Sequence, residues 1–81
     1  MAVAAKIFWR ETPDSSNVEA IGWVARPISQ PGNLFVRFRS GDVYMYSNVS
    51  QQRFLALKRA DSIGTYINRR IIPNYRATKI T

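Results

Sequence analysis

The chain has 81 residues, with twelve Lys/Arg against five Asp/Glu for a formal charge of +7, and 46% of its residues are apolar. This bounds one small globular domain and argues against disorder. It contains no cysteine and no histidine, which excludes disulfides, thiolate chemistry and the commonest general base and metal ligand.

Arginine outnumbers lysine nine to three. Guanidinium forks suit phosphates, so the balance points to an anionic partner such as nucleic acid or a phosphorylated ligand. No run approaches the ~20 apolar residues of a membrane span. Lys6 interrupts the apolar start Met1–Trp9, so no signal peptide is read and a cytoplasmic location is the expectation. A core this small without disulfides makes self-association a further expectation.

In chain order, residues 1–15 read as an N-terminal strand or arm over Ala2–Trp9, ended by the breaker cluster Thr12-Pro13-Asp14-Ser15-Ser16. Residues 16–81 read as a single domain. Val18–Ala25 is rich in strand formers; strict alternation puts Val18, Ala20, Gly22 and Val24 on one face and Glu19, Ile21 and Trp23 on the other. Pro27–Gly32 makes a loop, and Leu34–Arg39 and Asp42–Ser47 are the next two strands. Ser50 is an N-cap, with Val49 and Phe54 as a hydrophobic staple and Phe54, Leu57 and Ala60 as the apolar stripe of a first helix. Asp61-Ser62 caps a second helix from Ile63 to about Arg70, with Ile63, Tyr66, Ile67 and Ile71 on its apolar face, and Pro73 stops it. Tyr75–Ile80 has strand character and returns to a sheet edge.

Two registers are open for the central hairpin. A two-residue loop at Ser40-Gly41 sets Arg37 opposite Tyr44 and Phe35 opposite Tyr46, making a basic aromatic face. A three-residue loop, Arg39-Ser40-Gly41, sets Tyr44 opposite Val36 and Tyr46 opposite Leu34, and turns both tyrosines inward. Two-residue hairpins want Asn-Gly, Asp-Gly or glycine first, whereas three-residue loops want glycine last, so Gly41 favours the inward register.

Three stretches then carry a family resemblance. They are Leu34–Gly41, Tyr44-Met45-Tyr46 followed by Val49, and Ala60-Asp61-Ser62-Ile63-Gly64-Thr65-Tyr66-Ile67-Asn68. In order and spacing they resemble the KTSC domain, named for its occurrence at the C-terminus of some lysyl-tRNA synthetases and found also in free-standing bacterial and phage proteins. The resemblance runs from about Ser16 to Ile71, with Trp23 and Phe54 where tyrosine is commoner. It implies an α+β domain, an antiparallel meander of three or more strands with two short helices on one face, and it implies no established activity.

For function, Phe35, Arg37 and Arg39 on one strand and Arg69 and Arg70 at a helix end are the candidate nucleic-acid contacts. Ser62, Gly64 and Asn68 are candidates for holding an anion at a helix start, against the plainer reading of a serine cap and a packing glycine. The five acids show no catalytic spacing, and neither enzyme activity, cofactor nor metal is expected. The leading expectation is a non-catalytic nucleic-acid-binding domain, RNA more than DNA. The alternatives are a module for a small anionic ligand such as a nucleotide, in a phage setting one that sequesters a host signal, and a protein-interaction or oligomer-forming module.

Overall fold

The computed structural model describes residues 7, 9–26 and 31–81. Five strands run in chain order through one antiparallel sheet: β1 (Arg10–Glu11), β2 (Val18–Val24), β3 (Gly32–Phe38), β4 (Val43–Val49) and β5 (Ala77–Lys79). Between β4 and β5 lie α1 (Gln51–Lys58) and α2 (Ile63–Tyr66), the latter continuing without a break through a widened helical stretch, Ile67–Ile71. The wide turn is visible in the bond from Ile72 N to Ile67 O at 2.9 Å, one residue longer than an α-helical step. The result is an α+β meander with both helices on one face. Most of the expected arm, Ala2–Trp9, and most of the expected loop, Pro27–Gly32, fall outside the described residues; Gly32 itself opens β3.

The central hairpin takes the three-residue loop. Phe38 N donates to Asp42 O at 2.9 Å, Gly41 N donates to Phe38 O at 2.9 Å, and Gly41 sits at φ +98°, where a side chain is strained. Val36 pairs with Tyr44 and Leu34 with Tyr46. Tyr46 is 3% exposed, and Tyr44 packs edge-on against Phe38 with ring centroids 5.8 Å apart. Tyr46 is therefore a core ring, and Tyr44 a half-buried ring packed on the core. Burial, and secondarily neighbouring Tyr44, pushes the Tyr46 hydroxyl pKa above its ordinary value.

Strict alternation fails twice. Val18 pairs with Phe38 but Ala20 pairs with Arg37, so Glu19 is an extra residue bulged out of β2. Val18 therefore joins Ile21 and Trp23 on the helix-facing side, which corrects the expected grouping of Val18 with Ala20 and Gly22. In β4 the pairing shifts between Tyr46 and Val49, and Asn48 takes a left-handed φ of +62°. That extra residue lets Tyr46 and Val49 point into the same core.

The core forms where this face meets the helices. Val18, Ile21, Leu34, Val36, Tyr46 and Val49 from the sheet are buried against Leu57, Ile67 and Ile71. Phe38, Tyr44, Phe54 and Tyr66 pack on it half-buried. Both expected caps are formed: the Ser50 hydroxyl accepts from Arg53 N at 3.0 Å, and the Ser62 hydroxyl from Thr65 N at 3.2 Å. Trp23 closes one end, donating Nε1–H to Val49 O at 2.8 Å and stacking on Phe54 at 6.1 Å.

Candidate nucleic-acid interface

The charged residues divide into committed and free. Arg39 stands past the end of β3, in the turn, and grips the Thr12–Ser15 loop. Its guanidinium donates to the carbonyls of Ser15 at 2.8 Å, Thr12 at 3.1 Å and Pro13 at 3.4 Å. The loop is knit from inside as well, since Thr12 Oγ1 donates to Val18 O at 2.7 Å and Val18 N to Ser15 Oγ at 3.1 Å. Arg37 lies on the sheet face away from the helices, paired with Glu19 at 3.2 Å and with its guanidinium 4.4 Å from the centre of the Trp9 ring. Phe35 shares that face, half-buried between Gly22 and Met45 in register. The structure thus puts Phe35 and Arg37 side by side as expected, but the charge of Arg37 is balanced and Arg39 serves the fold.

Arg69 and Arg70 stand in the last turn of the second helical element and are exposed. Their side chains have no ion-pair or hydrogen-bond partner among the described residues, and the same is true of exposed Arg59 and Arg76. The segment from Ser50 to Arg76 carries six Lys/Arg against one acid, Asp61. Lys58 rests over the Phe54 ring at 5.3 Å. Arg53 Nη1 donates to the Tyr66 hydroxyl at 2.9 Å, which joins the start of α1 to the end of α2. The hydrogen bond with Tyr66, and secondarily the neighbouring Tyr75 hydroxyl, raises the Arg53 pKa above its usual value and keeps it charged. Sequence reasoning missed this cluster because its members are 13 and 22 positions apart.

Three of the five acids share one groove: Glu11, Asp14 and Asp61 line a groove of 480 Å³ together with Arg10 and Lys58. They do not assemble a metal site, for no group of three potential ligands converges among the described residues. A second groove of 220 Å³ brings Ser62, Gly64 and Asn68 together, as the anion reading requires, but its one charged wall is Asp14. The Ser62 hydroxyl there is committed to Thr65, accepting from its N–H and donating to its Oγ1 at 3.0 Å. An anion in this groove meets a carboxylate and a serine already in use. Among the described residues, no helix is long and apolar enough to cross a membrane.

A family model described as the KTSC domain matches residues 14–75. Among solved structures, the crystal structure of a KTSC domain protein from Yersinia pestis is similar to this chain with a TM-score of 0.82 at 21% identity, covering 94% of this chain and 100% of that one. At that identity the likeness speaks for the fold. No curated protein matches the chain.

Proposed function

The chain belongs to the KTSC domain family, and on that premise we propose that it is a non-catalytic domain that binds nucleic acid through its helical layer, RNA ahead of DNA. The observation that carries this reading is the set of arginines left without partners. Arg59, Arg69, Arg70 and Arg76 are exposed and unpaired among the described residues, while three of the five acids lie along the groove beside the Thr12–Ser15 loop. Free guanidinium groups make a phosphate footprint, and a footprint of this kind reads backbone rather than sequence. RNA stands ahead of DNA by association, through the lysyl-tRNA synthetases that carry the domain. A mobility-shift assay on short single-stranded RNA and DNA at two salt concentrations tests the reading. Binding at low salt that weakens steeply at the higher one supports it, and no binding at low salt ends it.

A second reading has its own observation. Val24, Phe35, Val43 and Met45 are half-buried apolar residues on the sheet face that no described helix covers. A face of this kind suits an interface between copies of the chain. Light scattering decides: a monomer across the accessible concentration range removes it.

A further inference from the structure

We infer that Arg53, Tyr66 and Tyr75 form a seat for a phosphate group. The inference shares the anionic-partner premise of the proposed function and adds a defined contact to it. Arg53 lies in the first turn of α1, where its own N–H is held by Ser50 Oγ at 3.0 Å. Its guanidinium donates to the Tyr66 hydroxyl at 2.9 Å, and the Tyr75 hydroxyl is a second polar neighbour. All three residues are half-buried, so packing restrains them without sealing them from solvent.

The donor and acceptor count of this cluster is lopsided. A guanidinium has five N–H donors and no acceptor, and a tyrosine oxygen that accepts from it keeps its own O–H to donate. The cluster therefore offers several donors around one positive charge. No carboxylate answers it, because neither ion pair among the described residues includes Arg53. A phosphate presents several acceptor oxygens at tetrahedral angles and matches the whole set. Arg69 and Arg70 follow Tyr66 by about one helical turn, adding positive charge beside the cluster and no acid. The groove at Ser62 and Asn68, by contrast, holds Asp14.

The phosphate can come from a nucleic-acid backbone or from a free nucleotide, and the chemistry of the seat is the same. The test is a titration of the ¹⁵N-labelled protein with inorganic tripolyphosphate, ATP and a short single-stranded RNA, following the arginine Nε–H resonances. The expected result is that the Arg53 resonance moves at lower ligand concentration than those of Arg59 and Arg76. Tyr66→Phe and Tyr75→Phe keep the rings and their packing, and each is expected to weaken binding of the probe about tenfold by removing a hydrogen bond to a charged group. The seat is overturned if Arg53 moves no earlier than Arg59 and Arg76 with any probe, or if both phenylalanine variants stay within twofold of the wild type. RNA binding with an unmoved Arg53 removes the seat and leaves the nucleic-acid reading standing. Selective movement with tripolyphosphate and ATP but no RNA binding does the reverse.

Discussion

Gly32→Ala is the substitution with the largest expected effect on the fold for the smallest change in atoms. A Cβ built at Gly32 lies 2.6 Å from two carbons of the Trp23 ring and closer still to the Val24 carbonyl oxygen. Neither neighbour can yield cheaply. The indole is pinned by its 2.8 Å bond to Val49 O and by stacking on Phe54, and the carbonyl belongs to the backbone of β2. Overpacking a rigid site costs about 1–3 kcal/mol, and two fixed neighbours put this site at the upper end, ~3 kcal/mol. Total stability for a chain of this length is about 4–12 kcal/mol. At roughly 4–8 °C per kcal/mol for a domain of this size, the melting temperature should fall by about 12–24 °C. Gly41→Ala is the control, because nothing lies within 4 Å of its Cβ and only the φ of +98° opposes it. It should cost about 1–2 kcal/mol. Circular-dichroism melts of both variants measure the difference. A Gly32→Ala protein that melts within about 4 °C of the wild type, a loss under ~1 kcal/mol, refutes the argument that Trp23 is held in place.

Three further outcomes follow from the same packing. Ser50→Ala removes the bond to Arg53 N and should cost about 1 kcal/mol in urea unfolding, with most of it restored by Ser50→Asp. Arg39→Ala strips the guanidinium from the Thr12, Pro13 and Ser15 carbonyls and should cost about 1–2 kcal/mol, with faster amide exchange at Thr12 and Val18 as the loop loosens. Tyr46 has a folded-state pKa raised above the ordinary 10, by burial first and by Tyr44 second. The folded protein therefore holds that proton more tightly than the unfolded chain, so the contribution of Tyr46 is intact below pH ~10 and is lost as pH rises through the folded value. Unfolding monitored from pH 9 to 11.5 should show this decline, and Tyr46→Phe should flatten it.

What was legible in the chain was local. Gly41 closes its turn through bonds within a few residues, and Ser50 and Ser62 cap amides three positions on, so turn and cap chemistry identified them. The hairpin register followed, and with it the inward placement of Tyr44 and Tyr46. The bulges at Glu19 and Asn48 carry no comparable signature; each is imposed by the demand that Val18 and Val49 reach the core, which period-two alternation hides. The destinations of the arginines were equally hidden. Arg37 finds Glu19 18 positions away and Arg39 finds its carbonyls 24 to 27 positions away, so only the folded sheet reveals that both are occupied. Of the expected arginine contacts, Arg69 and Arg70 are the ones without partners among the described residues.

The salt dependence of RNA affinity tests the central claim most directly. If Arg59, Arg69, Arg70 and Arg76 each neutralise one phosphate of a single strand, log K should fall against log salt with a slope of about −3, a loss of about 50-fold between 50 and 200 mM. The double variant Arg69→Ala/Arg70→Ala should halve the slope to about −1.4 while melting as the wild type does, since both side chains are exposed and unpaired among the described residues. Fluorescence anisotropy on a labelled short RNA gives both slopes. A wild-type slope near zero, or one that the double variant leaves unchanged, contradicts the account.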